Sequence, residues 1–62
     1  MPKFVLMEHT DGSESWINPN LVVEVRSGIP RDGRPTATIY LSGGFGRDAF
    51  GTKDEIVRLL QS

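Results

Sequence analysis

Sixty-two residues with no cysteine and one histidine make a single domain and exclude a disulfide staple or a thiolate metal site. Seven Lys and Arg against eight Asp and Glu give a net charge of −1, which argues against a nucleic-acid binder held by net positive charge. A domain this small hides only about 60% of its unfolded surface, so its stability has to come from a thin sheet–helix core or from a partner subunit.

The chain begins Met1-Pro2-Lys3-Phe4-Val5-Leu6-Met7 and then meets Glu8. That apolar run is too short for a signal-peptide core, and no stretch approaches a membrane span, so the cytoplasm is the expected compartment. Lys3 to His9 reads as strand one, with Phe4 and Leu6 on one side and Val5 and Met7 on the other. Both sides are apolar, which leaves open which one is buried. Asp11-Gly12 is a hairpin signal, because Gly supplies the positive φ of a tight turn. Glu14 to Asn18 is the second strand, with Trp16 near its middle. Ile17 points away from Trp16, so with Ile17 inside, Trp16 lies on the outer face. Asn18-Pro19-Asn20 is the next turn, since Pro19 cannot donate to a ladder.

Leu21 to Arg26 is a half-buried strand: Leu21, Val23 and Val25 share one face, Val22, Glu24 and Arg26 the other. Ser27 to Pro35 is a long polar loop. Thr36 to Ser42 alternates most cleanly, with Ala37, Ile39 and Leu41 inward. Gly43-Gly44 makes a hairpin turn, and Phe45 to Phe50 is a short last strand whose broken alternation calls for a bulge near Gly46. Gly51 releases the chain into Thr52-Lys53-Asp54-Glu55, a capping box, and Ile56, Leu59 and Leu60 follow as one apolar stripe of a helix from Thr52 to Ser62. Three turns of helix are marginal alone in water and need a surface to dock on. The expected core is Phe4 or Val5, Leu6, Ile17, Leu21, Val23, Val25, Ile39, Leu41, Ala49, Ile56, Leu59 and Leu60. The fold class is therefore α+β: a four- to five-stranded antiparallel meander with one C-terminal helix packed on it.

The positions of Asp11-Gly12, Asn18-Pro19, Leu41 to Gly44 and Thr52 to Val57 give an order of signals that resembles small bacterial proteins of the FlbD type, which serve flagellar and swarming motility. The likeness covers most of the chain but rests on turn chemistry. The chain departs from that pattern at the Gly28 to Pro35 loop, at Gly43-Gly44-Phe45-Gly46 and at Trp16. The resemblance implies a non-enzymatic cytoplasmic accessory protein with no catalytic residues.

Three patterns invite a chemical reading and fall short of one. Gly44-x-Gly46-x-x-Ala49 has the letter of a dinucleotide fingerprint, but the chain leaves no room for the second parallel strand that motif serves. His9, Asp11 and Ser13 crowd one turn, where nothing can bury a catalytic carboxylate; an Asx-turn at Asp11 with a solvated His9 is the simpler expectation. His9, Asp11 and Glu14 are too few for a metal site. No cofactor is expected.

Binding is the expected function, through a protein partner or a second copy of the chain. Trp16, Val22, Tyr40 and Phe45 are the candidate interface residues. The alternative is a nucleic-acid-binding mini-domain that uses Arg26, Arg31 and Arg34 around the long loop, Arg47 near them in space, and stacking on Tyr40 and Phe45.

Overall fold

The computed structural model describes residues 3–61. Met1 and Pro2 of the apolar N-terminal run, and Ser62 at the expected helix end, lie outside the described residues. The elements are β1 (Val5–Glu8), β2 (Glu14–Ile17), a 3-10 turn (Pro19–Leu21), β3 (Val22–Ser27), β4 (Thr36–Leu41), β5 (Gly46–Phe50) and α1 (Lys53–Gln61). The α+β class holds. The single meander does not: five strands divide into a β1–β2 pair and a three-stranded sheet in the order β3-β4-β5. The division falls at Asn18-Pro19. The Asn18 side chain accepts from Asn20 N–H, and the Leu21 N–H donates to the Asn18 carbonyl at 3.0 Å, which turns the chain before β3 begins. One bridge, His9 to Ala49, brings β1 alongside β5 and joins the two sheets.

Turn residues set the hairpins. Gly12, at φ 91°, donates to the His9 carbonyl, and His9 N–H donates to the Ser13 carbonyl, which closes the β1–β2 hairpin. Asp11 accepts from Ser13 N–H at 2.9 Å and from its hydroxyl, an Asx-turn. These bonds, the hydroxyl's first, hold the Asp11 carboxyl below its ordinary range. Between β4 and β5, Gly43 and Gly44 both take positive φ.

Register corrects the expected core. Val5 and Met7 face inward, and Phe4 and Leu6 face water. The bulge lies at Val23 in β3, not near Gly46: Val22 pairs with Leu41 and Glu24 with Tyr40, and β5 runs in regular register with β4. The extra residue turns Val22 to the same side as Val25, against the core, and leaves Val23 and Leu21 exposed. The core is Val5, Met7, Ile17, Ala37, Ile39, Ala49 and Ile56, with Val22, Val25, Leu41 and Leu60 packed against it.

The helix docks by Ile56 and Leu60, an i, i+4 pair, and Leu59 is 48% exposed rather than core. Its capping box is complete: Glu55 N–H donates to the Thr52 hydroxyl and Thr52 N–H to the Glu55 carboxylate, each at 3.1 Å. The Thr52 backbone bond, more than the hydroxyl one, holds the Glu55 carboxyl below its ordinary value of 4.5. The cap's charge-dependent part is therefore fully present above about pH 4.5 and fades as pH falls through the lowered folded-state value. Thr52→Ala should cost about 1 kcal/mol near neutral pH. Urea unfolding should show that cost, and at stepped pH the gap between wild type and Glu55→Gln should narrow in acid; a constant gap would mean that the Glu55 charge takes no part in the cap.

Candidate functional site

The outer face of the β1–β2 hairpin is set by its register. Leu6 stands opposite Trp16 and Glu8 opposite Glu14, while Met7–Ser15 and Val5–Ile17 point inward. Trp16 is 65% exposed; Leu6, across from it in β1, and Phe4, just ahead of β1, are exposed as well. The result is an apolar strip on a face the core does not need. Next to the strip two carboxylates sit directly opposite each other, an unfavourable cross-strand pair. Arg34 relieves one of them, reaching Glu8 at 3.3 Å with its guanidinium 4.0 Å over the Phe50 ring. Glu14 has no charged or hydrogen-bonding side-chain partner among the described residues.

Of the other candidate interface residues, Val22 belongs to the core side of β3. Tyr40 is half-buried, with the Arg26 guanidinium 5.7 Å from its ring centre. Phe45 is 70% exposed but sits in the β4–β5 turn, in the other sheet. Trp16 is thus grouped with Leu6 and Phe4, not with Val22, Tyr40 or Phe45.

The arginines do not converge. Arg26 pairs with Glu24, and Arg34 with Glu8. Arg47 stands opposite Ile39 in the register, on the sheet face away from Tyr40 and Arg26, so it does not join the loop. Arg31 lines an open groove of about 420 Å³ together with Thr10, Ile29, Thr38 and Asp48. The Asp48 carboxylate accepts from the Thr38 hydroxyl there at 2.8 Å and opposes phosphate in that groove. The long loop is itself ordered as a small hairpin. Arg31 and Arg34 exchange backbone hydrogen bonds at 3.0 and 2.9 Å around Asp32 and Gly33, both at positive φ. Asp32-Gly33 was the signal for it, the same dipeptide that marks the first hairpin.

His9 is not solvated. It is 3% exposed, and its Nδ1 lies 2.9 Å from the Asp48 carbonyl oxygen. A carbonyl only accepts, so Nδ1 carries the proton, and in the neutral ring Nε2 accepts from the Ser15 hydroxyl. Alternation along β2 points Ser15 inward to meet the ring. The arrangement ties the hairpin to β5 through one side chain. Asp11 and Ser13 bond each other on the exposed turn, so no His9–Asp11–Ser13 triad forms, and neither the Arg31 groove nor the groove between β3 and α1 is lined by His9 or Ser15. Among the described residues no cluster of His, Asp and Glu is arranged to hold a metal ion, and no helix is long and apolar enough to cross a membrane.

A second groove of about 340 Å³ runs between β3 and α1, lined by Val22, Val25, Val57 and Leu60 together with the polar Glu24 and Gln61. The strand beside it carries the bulge and the Glu24–Arg26 ion pair, features that blunt an open edge. Compared with known proteins, the chain matches no protein-family model, no curated protein and no solved structure.

Proposed function

We propose that the chain is a non-enzymatic protein-interaction module whose contact surface is the outer face of the β1–β2 hairpin, anchored on Trp16. The observation that carries this reading is the exposure of Trp16 beside Leu6 and Phe4, on the hairpin face opposite the one that builds the core. Tryptophan gives a large contact area with few rotatable bonds and is the residue type most enriched at binding hot spots. The strip is flanked by charge, as contact patches usually are. Self-association is one form this module can take. The FlbD-type resemblance, with its accessory and non-catalytic character, points the same way. The nucleic-acid reading is weaker, because two of its four arginines are paired with carboxylates and a third lies on the opposite face.

A photo-crosslinking residue at position 6, on the strip, tests the reading in the native cell, with the same residue at position 58 on the exposed side of α1 as control. Position 6 should give discrete protein adducts that disappear in Trp16→Ala, while position 58 gives none. A self-adduct would identify the second copy as the partner. Equal labelling at the two positions would overturn the assignment of the surface.

A further inference from the structure

We infer that the partner of this surface is an extended basic segment that adds as a strand to the free edge of β2, with an apolar side chain over Trp16 and a Lys or Arg two residues away beside Glu14. The inference deepens the proposed function and rests on it. Three observations bear on β2 and its exposed residues Glu14 and Trp16.

The first is the backbone. His9 and Ser13 bond across the turn, and Met7–Ser15 and Val5–Ile17 are the inward pairs of the ladder. Hydrogen-bonded and non-hydrogen-bonded pairs alternate in an antiparallel ladder. Glu14 and Trp16 therefore turn their N–H and C=O groups to the open side of β2. Among the described residues no other strand pairs there. The second is protection. Of the two edge strands of the three-stranded sheet, β3 is blunted by its bulge and β5 meets β1 at the His9–Ala49 bridge, whereas β2 has no bulge, no proline within it and no lysine. Edges left in that state accept another strand. The third is charge. Glu14 stands opposite Glu8 with no cation of its own among the described residues, since Arg34 serves Glu8. A basic side chain laid beside Glu14 would complete the row.

The spacing of the ligand follows from the pleat. Side chains alternate across a strand, so the two residues of an added strand that flank Trp16 and Glu14 on the outer face are separated by one residue. The recognised pattern is apolar-x-basic, in either chain direction. Three side chains, each about half to two-thirds exposed, offer little of the ~800 Å² per partner that a stable dimer buries. That favours a short segment over a second copy.

The test uses the full chain and follows the emission of Trp16, the sole tryptophan. The probes are three capped nine-residue peptides: Val-Thr-Lys-Thr-Val-Thr-Lys-Thr-Val, which alternates valine and lysine along one face; its isomer Val-Lys-Thr-Thr-Val-Lys-Thr-Thr-Val, which puts them on opposite faces; and the first peptide with glutamate for lysine. The first peptide should bind at a concentration at least about tenfold lower than either control. Glu14→Arg should reverse the order of the lysine and glutamate peptides. Glu14 is exposed, and circular dichroism reports whether the variant keeps the fold. Equal binding of the lysine isomers, or no reversal in Glu14→Arg, would overturn the strand-addition inference even where crosslinks at position 6 uphold the surface. No peptide binding together with no adducts at position 6 would overturn both. Light scattering adds one outcome: a dimer that closes β2 against its copy and ignores the peptides also overturns the inference.

Discussion

Ile56→Ala is expected to leave most of the chain unfolded at room temperature, while Leu59→Ala, three residues on, should cost well under 1 kcal/mol. Ile56 is 1% exposed and is the helix's one fully buried side chain. Its Cδ1 packs beneath Gly51, 3.3 Å from where a Cβ on that glycine would lie, so the turn into the helix closes over it. Removing a buried isoleucine costs about 2–5 kcal/mol through lost transfer energy and the cavity left behind. A core of this size supplies only about 3–5 kcal/mol in total, so the loss is comparable to the whole stability. Urea unfolding monitored by far-UV circular dichroism measures both variants. Equal losses would mean that the helix is rotated about its axis so that Leu59 meets the sheet as fully as Ile56.

How this fold could be read from the chain divides by the range of the forces involved. Turns are local. Asp11-Gly12, Asn18-Pro19, Gly43-Gly44 and the Thr52 capping box each carry their own chemistry, and each does in the structure what that chemistry dictates. Face assignment is not local. In β3 one extra residue at Val23 reverses the side on which every earlier residue lies, and nothing in Leu21-Val22-Val23-Glu24-Val25 marks where a bulge falls. Strand one is apolar on both sides, so its orientation depended on which partner strand lay beneath it. Leu59 and Leu60 are interchangeable in a helical pattern this short; the direction from which β3 and β4 approach decides that Leu60 is the one covered. Asp32-Gly33 was legible and was masked by the prolines and arginines around it, which read as an unstructured loop.

The surface divides in the same way. Trp16 outside and Ile17 inside followed from alternation once Ile17 was taken as core. The contrast between an open β2 edge and a blunted β3 edge follows from pairing alone, and so does the discovery that Arg47 stands apart from Arg31 and Arg34. Charge counted along the chain overstated the arginine loop. Two of its members spend their charge on Glu24 and Glu8, one in its own strand and one in the other sheet.

His9→Ala should be the other strongly destabilising substitution, at roughly 3 kcal/mol, although a histidine beside an exposed turn gives no such warning in the sequence. The loss has two parts. A ring almost wholly enclosed leaves a cavity between the hairpin and β5. The Asp48 carbonyl and the Ser15 hydroxyl also lose their shared partner, and a buried polar group left unpaired costs about 1–3 kcal/mol. Ser15→Ala removes the hydroxyl and empties Nε2 of its donor, but leaves the ring and its bond to Asp48 in place, so it should cost less than His9→Ala. In the double variant the two losses should fall short of additivity by about 0.5–3 kcal/mol, because the second substitution removes a group the first has already orphaned. The bridge between the two sheets should loosen with the ring. Amide exchange at Ala49, which faces His9 across that bridge, should quicken in His9→Ala more than exchange at Ile39 in the centre of the sheet. Additive losses with unchanged protection at Ala49 would show that the shared core and the Glu8–Arg34 pair hold the sheets together without the His9 hydrogen bonds, and that His9 is only a filler of the space between them.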